Sequence, residues 1–545
     1  EVIHGPTPTL YADLLVTVDG LAAFHCRRMG LRLVPAFPLE SRQSLLDGAE
    51  LVDPAPERNA RTPDHIYDPR SIAACAWGAP SDAFGDLFAR FDGPERCPRL
   101  PGPPYLFMTR ITAIDAPKGI PTSGGTLEAE YQIPPDAWYF SENGNRTMPY
   151  AVLLEAALQP CGWFASYKGS VLQSDEELYF RNLDGTATQH REVFPEDGLL
   201  RTHVRNTSLS RLGAMTIVGF EVECFVGDEL VFDMTTTFGF FPAAALASQA
   251  GLPVTDALRA RLAEPSDFRR ELRPRPPRYF NAQPALPGPM LLLLDRISGY
   301  WPDGGEQGLG RVRAEIDVNP QDWFFKCHFM GDSVQPGSLG LEAMIQTLQF
   351  FMLEEGRGAR GEFVRPRFEP IQIGEAMTWK YRGQVLPSAT RVTVDLEIVE
   401  KGDDYAVANA SLWVDGLRIY EASRLGMRIL EDLAREPQRR EGAKVHEAIL
   451  GAPSSLGDFV AGWRRAGDEV LDPAVDGWLQ DHCPTWTVPA LAMMSMVDRL
   501  AAGAQVRAPG RKVVGLRNVR VHRWLSFAGG AQQVKTLGRP VGADT

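Results

Sequence analysis

Seven cysteines in 545 residues stand far apart, at Cys26, Cys75, Cys97, Cys161, Cys224, Cys327 and Cys483, with no CxxC pair among them. Neither a zinc site nor a disulfide framework is indicated, and a reducing, cytoplasmic setting fits. Basic residues are in the minority, 56 against 69 acidic, for a net charge of −13. That speaks against nucleic acid, whose binders need a basic footprint. It leaves acidic partners open, because they can dock on local basic patches. No apolar run reaches the roughly 18 residues of a membrane-crossing helix. The N-terminus lacks the layout of a signal peptide, so no membrane insertion is expected. The chain does not begin with Met and reads as a piece of something larger. Its length exceeds one core and suggests about three to four domains.

What is present is repetition. "PGPPYLFMTRI" from Pro101 returns as "PGPMLLLLDRI" from Pro287, an offset of 186. "MPYAVLLEAALQ" from Met148 returns as "QPGSLGLEAMIQ" from Gln335, and "GDELVFDMTTTFGF" from Gly227 as "VDGLRIYEASRLGM" from Val414, both at 187. Three patches at one spacing mean two copies of one domain, at 104–242 and 287–431. Partial copies flank them. "VDGLAAFHCRRMGLRL" (Val18 to Leu33) resembles the end of the second copy, so 1–33 reads as the terminal strands of a preceding unit. "DGWLQDHCPTWTVPALAMMSMVDRL" (Asp476 to Leu500) again sets a histidine before a proline and an apolar helix, so 432–545 reads as a third, partial or diverged unit. The stretches between, 34–103 and 243–286, carry Pro-rich runs and are expected to be extended connectors.

Within a copy, "LGLEAMIQTLQFFMLE" (Leu339 to Glu354) is apolar on most sides and free of internal proline, the pattern of a buried helix. Four runs between Met377 and Leu430 follow, alternating or β-branched, with Gly, Asp and Pro at their ends. One helix and four or more antiparallel strands imply an α+β layer, a sheet wrapped around a central helix.

The second copy sets out His328, Pro336, Gly337, Glu342 and Gln346. Pro336-Gly337 opens the helix, whose free N–H groups and dipole favour negative charge. Gly337 lets a carbonyl approach the backbone. Glu342 and Gln346 share a face. A carboxyl on an apolar helix is desolvated, which raises its pKa and keeps it protonated near neutral pH. A histidine beside it would be a general base. The set suits proton abstraction α to a carbonyl with loss of a β-hydroxyl. A lone His and Glu in a chain this long are more often structural. Here the first copy repeats the acid and amide as Glu155 and Gln159, and a carboxylate placed twice on an apolar helix is hard to assign to packing. The first copy lacks the histidine: eight residues before Pro149 stands Ser141, then Glu142, and Tyr150 takes the place of Gly337. In the third stretch His482 lies seven residues before Pro489, with Asp498 farther on; the two are either a second half-site or a relic that packs.

"NPQDWFFKCHFMGDSVQPGSLGLEAMIQ", with "YRGQVLP" (Tyr381 to Pro387) and "VDGLRIYEAS", resembles the FabA-like β-hydroxyacyl-ACP dehydratase/isomerase family of bacterial fatty acid synthesis. The order of repeated units resembles the dehydratase region of multidomain polyunsaturated fatty acid synthases. The resemblance implies tandem hotdog domains, at least one pair of them a double hotdog. It implies a catalytic His, a helix acid and a Gly N–H, which fall on His328, Glu342 and Gly337. Pro336, Gln159 and Gln346 would hold substrate or orient the acids. The family's single-domain enzymes usually carry Asp where this chain has Glu. In such pairs the His of one partner faces the helix acid of the other. The expected working set is therefore His328 and Gly337 with Glu155, leaving Glu342 without a base.

The implied reaction removes water from 3-hydroxyacyl-ACP to give 2-enoyl-ACP, with double-bond isomerisation left open. No metal, nucleotide or redox cofactor is expected. The substrate would ride on the phosphopantetheine of an acyl carrier protein, and carrier domains and other domains of the same synthase would be the partners. A homodimer stays open, although an internal hotdog pair removes the usual need for one. Two rival readings remain: a hotdog acyl-thioesterase, and a non-catalytic scaffold that holds acyl chains or docks the carrier protein.

Overall fold

The computed structural model describes residues 58–433 except 94, 136, 282 and 357–363. It also describes strands within 2–32, residues 464–476 except 474, the strand 532–538 with the residue before it, and isolated positions at 495, 499 and 502. The chain divides into two compact units, Glu1–Asp432 and Leu433–Thr545.

In the first copy β1 (Arg110–Asp115) and β2 (Thr126–Gln132) precede helix α1 (Tyr150–Tyr167). Strands β3 (Leu178–Gln189), β4 (Leu199–Leu212), β5 (Met215–Val226) and β6 (Glu229–Pro242) follow it. The second copy repeats the plan with β7 (Arg296–Trp301), β8 (Arg311–Asp317), α2 (Gly337–Glu354), β9 (Val364–Phe368), β10 (Ala376–Tyr381), β11 (Arg391–Lys401), β12 (Tyr405–Val414) and β13 (Leu417–Leu433). The main path of the sheet runs β7-β8-β11-β12-β13-β10-β3-β6-β5-β4-β2-β1, so both copies use one strand order. They join where β10 pairs antiparallel with β3, Ala376 opposite Thr188 and Lys380 opposite Asp184. This is a double hotdog: one continuous sheet around two helices.

Both helices are buried because they are apolar on most sides. Every residue of α1 is buried, and Leu153, Leu154, Phe164, Leu341 and Phe350 lose all exposure. Each such side chain contributes about 1.5–3 kcal/mol relative to remaining in water. The strands supply the other wall by alternation, as in β10, where exposed and buried residues alternate without a break.

The connectors are more structured than their prolines predict. Within 34–103, Pro69–Trp77 and Pro80–Phe84 are helices and Asp86–Asp92 is a 3-10 turn. Their prolines sit at the first helical position, where a missing N–H costs nothing. Asp68 caps the first helix by accepting from the N–H groups of Arg70 and Ser71. Tyr67 and Phe84 then meet the Trp163 ring of α1 at 5.2 and 5.3 Å. Within 243–286, Ala243–Ala247, Asp256–Leu262 and Pro277–Phe280 are short helices, and Arg261 is tied to Asp395 (3.0 Å) and Glu397 (2.8 Å). Apolar and charged residues set between the prolines found partners on the domains, and that outweighed the proline content.

The strands Val2–Ile3, Thr9–Val18 and Leu21–Arg32 form a separate antiparallel sheet. In the C-terminal unit Arg464–Leu471 pairs with Gln532–Gly538. His482 and Asp498 lie outside the described residues. Among the described residues no helix is long and apolar enough to cross a membrane.

Candidate active site

Helices α1 and α2 are in contact, and the start of α2 meets the middle of α1. Ser338, second residue of α2, donates to Glu155 Oε2 at 2.7 Å. The Tyr105 hydroxyl, from the segment before β1, bonds the same serine oxygen at 2.9 Å. Gln159, one turn along α1, donates to Glu155 Oε1 at 3.3 Å and to the Tyr105 carbonyl at 2.8 Å, and accepts from the Phe107 N–H at 2.8 Å. These backbone partners fix which end of the amide is the donor. Both carboxyl oxygens of Glu155 are therefore held.

The short helix Trp323–Cys327 ends at His328. His328 Nδ1 lies 3.0 Å from the Val334 carbonyl. A carbonyl only accepts, so Nδ1 carries the proton and Nε2 presents a lone pair. The loop after His328 is tied from several sides. The Val334 N–H donates to the His328 carbonyl at 2.8 Å and the Gln335 N–H to the Val385 carbonyl at 3.0 Å. Arg181 of β3 grips Asp332 through two bonds, 2.7 and 2.8 Å long. An arginine of the first copy thus holds the loop that carries the histidine of the second.

Pro336 caps α2 and Gly337 begins it. First-turn N–H groups have no acceptor within their own helix, and those of Gly337 and Ser338 have none among the described residues. A Cβ at Gly337 would stand 2.6 Å from the Tyr381 ring.

These groups converge on one cavity of about 90 Å³, whose lining includes Glu155, Gln159, His328, Gly337, Ser338 and Tyr381. Glu342, Gln346 and Pro336 do not line it. Burial raises the Glu155 carboxyl to about 7, opposed by the bonds from Ser338 and Gln159. Burial lowers His328 to about 3. Near neutral pH the cavity therefore sets a neutral imidazole and a carboxyl that retains its proton beside free helix-end N–H groups. That arrangement can abstract a proton, stabilise an oxyanion and protonate a leaving group.

At the opposite end of the pair, Gln346 repeats the role of Gln159. It bonds Glu342 Oε1 (2.9 Å), the Leu291 carbonyl (2.8 Å) and the Leu293 N–H (2.9 Å). Burial raises Glu342 to about 7 as well. The other parts differ. Ser141 stands where the histidine would be and bonds the Trp138 carbonyl at 2.8 Å. Glu142 accepts from the Met290 N–H at 2.7 Å. Tyr150 fills the helix start and is 1% exposed. Ala151 and Leu291 stand in place of Ser338 and Tyr105.

Sequence reasoning missed Ser338, Tyr105, Arg181 and Tyr381. A signal existed for the first two: at the repeat offset, Ser338 faces Ala151 and Tyr105 faces Leu291, so a polar pair at one end answers an apolar pair at the other.

The FabA-like domain family matches residues 100–235 and 286–423, together half of the chain. One component of a polyunsaturated fatty acid synthase from Thraustochytrium sp. is 31% identical over 382 residues, 65% of this chain and 25% of that protein. The chain thus spans about a quarter of that relative's length. Similar solved structures include a trans-AT PKS dehydratase domain from Brevibacillus brevis (14% identical, 56% of this chain and 94% of that one, TM-score 0.35). Another is the dehydratase domain from the CurK module of curacin polyketide synthase (12% identical, 61% and 99%, TM-score 0.35). A third, from Lactobacillus plantarum, is described as an oleoyl thioesterase (11% identical, 58% and 100%, TM-score 0.35). The family matches coincide with the two sheet-and-helix repeats, and the chain belongs to the FabA-like domain family, whose domain it carries twice.

Proposed function

We propose that this chain is a dehydratase region of a polyunsaturated fatty acid or polyketide-type synthase, taking water from a 3-hydroxyacyl thioester carried on an acyl carrier protein. The observation that carries the reading is the single cavity lined by His328, Gly337 and Glu155. His328 Nε2 takes the C2 proton. The freed electron pair becomes the C2–C3 double bond by way of an enolate-like state, whose thioester oxygen rests on the Gly337 N–H. The C3–O bond breaks, and the hydroxyl leaves as water with the proton of Glu155. The step ends with His328 protonated and Glu155 ionised, and a proton passes between them before the next turnover. Proton transfer and water loss call for neither metal nor redox cofactor. Carrier domains and other domains of the synthase are the proposed partners.

A paired substitution tests the assignment. Glu155→Gln removes the acid and lowers kcat by about 10²–10⁴-fold, while Glu342→Gln leaves kcat within about twofold. The assay follows 2-enoyl thioester formation, and the position of the alkene in the product reads out isomerisation. Loss of activity only in Glu342→Gln overturns the assignment. Release of free acid in place of the enoyl thioester overturns dehydration in favour of thioester hydrolysis.

A further inference from the structure

The proposed chemistry occupies only one end of the cavity. The remainder follows α1, where Glu155, Leu158, Gln159, Gly162, Trp163 and Ser166 line it. Steps of three and four residues make this a single face. From Glu155 to Ser166 the helix rises about 16 Å at 1.5 Å per residue. The roof comes from outside the two family domains: Cys75 on the helix Pro69–Trp77, with Pro98 and Arg99 beside it. Arg99 fastens this roof by donating to the Ala74 carbonyl at 3.3 Å and to the Gly78 carbonyl. Phe180 and Phe238, stacked 4.7 Å apart, form a side wall. Gly162 lets the Phe180 ring of this wall pack directly against α1, since a Cβ there would lie 2.8 Å from the ring.

Helix α2 is an internal control. Aligned on the shared acid and amide, it carries Gln349 in place of Gly162 and Leu353 in place of Ser166. Gln349 is 5% exposed and its side-chain oxygen has no partner among the described residues. Two larger side chains occupy this face of α2. Only the helix whose acid lines the His328 cavity has small residues there.

We infer that the acyl tail of the substrate lies along α1 from Glu155 toward Ser166, and that Gly162 and Cys75 set the chain length the site accepts. The inference rests on the proposed function for the position of the thioester and C3 hydroxyl. An extended chain advances about 1.2 Å per bond, so the face matches a tail of roughly a dozen carbons beyond C3. The N-terminal helical segment is then the part of the chain that selects substrate, and the hotdog pair is the part that reacts with it.

The test uses the 545-residue chain with 3-hydroxyacyl N-acetylcysteamine thioesters of about four and sixteen carbons, a pair chosen to fall short of and to fill the face. Wild type is compared with Gly162→Leu, Cys75→Phe and Ser166→Leu, the last copying α2. Each variant loses at least about tenfold in kcat/KM on the longer substrate and stays within about twofold on the shorter, because each excluded methylene is worth severalfold. Turnover of the short substrate doubles as the folding control. Equal losses on both lengths in all three variants, or undiminished turnover of the longer one, overturn the inference. If wild type dehydrates neither thioester, the proposed function fails. Calorimetric binding of the unreactive amide analogues then decides the inference alone: the longer analogue binds more tightly than the shorter, and Ser166→Leu abolishes the difference.

Discussion

Removing the Ser338 hydroxyl changes chiefly the pH at which activity is lost on the alkaline side. The proposed dehydration needs His328 neutral and Glu155 protonated. With burial setting these groups at about 3 and about 7, kcat/KM is level between those values and falls tenfold per unit above the higher one. Gln159 on α1 and Ser338 on α2 bond Glu155, Tyr105, Cys327 and Tyr381 stand near it, and His328 and the cations Arg181 and Arg99 line the same cavity. Neither arginine acts measurably on the carboxyl, so the two hydrogen bonds are what restrain the upward pull of burial. The bond from Ser338 favours the ionised carboxylate, and Ser338→Ala therefore raises the pKa. A hydrogen bond to a charged group is worth about 1.5–3 kcal/mol, and 1.36 kcal/mol moves a pKa by one unit. Allowing for relaxation around Gln159, the alkaline limb moves up by about one unit, and the acid limb stays in place. Tyr105→Phe leaves the Ser338 donor intact and moves the limb less, in the same direction. The profile is read from enoyl-thioester absorbance across pH. An alkaline limb that stays fixed or moves down would refute Glu155 as the acid held by Ser338.

Three further outcomes follow from the geometry. A carboxyl raised from 4.5 to about 7 contributes its full stability below pH 4.5 and loses it as pH climbs through 7, at most about 3 kcal/mol; Glu342→Gln is therefore more stable than wild type at alkaline pH, with the gap closing in acid, and urea unfolding at two pH values checks it. Gly337→Ala forces a Cβ to within 2.6 Å of the Tyr381 ring and shifts the helix-end N–H; kcat falls by about 10²–10³-fold with KM little changed, and retained kcat would remove Gly337 from the oxyanion role. Arg181→Met leaves Asp332 without its two bonds in a site 12 and 16% exposed on the two side chains; unfolding free energy falls by about 2 kcal/mol, between the surface and buried limits, and kcat falls with the loosened histidine loop while Asp332→Ala reproduces both.

The repeat, the buried helix and the acid-amide pair were legible in the sequence because each is local: an offset, a run of apolar residues, a spacing of four. The pairing of β10 with β3 was not, since nothing in either strand's alternation names its neighbour. The same limit hid the residues that complete the site. Tyr105 and Ser338 are 233 residues apart, and Arg181 and Asp332 are 151 apart. Only the joining of the two sheets brings them together. The connectors misled for the opposite reason. Proline density spoke for extended chain, while Tyr67, Cys75 and Phe84, set between the prolines, carried enough apolar surface to fold onto α1.

Why both ends hold the acid and amide although only one has a base can be argued from hydrogen bonds. Gln159 satisfies a buried N–H at Phe107 and a carbonyl at Tyr105. Gln346 does the same for Leu293 and Leu291. In each copy the amide pins the segment entering the first strand to the central helix, and the glutamate accepts the amide's second N–H. Without the amide, two buried backbone groups would go unpaired, at about 1–3 kcal/mol each. The pair thus has a structural reason to be present at both ends. What sets α1 apart comes from the other copy: Ser338 reaches Glu155 from α2, and His328 and Gly337 enter the same cavity. The difference between the two acids therefore lies in what faces them. On the proposed mechanism, activity at Glu342 would require a histidine at Ser141, a glycine at Tyr150 and a hydroxyl at Ala151, so restoring any one alone is expected to leave that end inert.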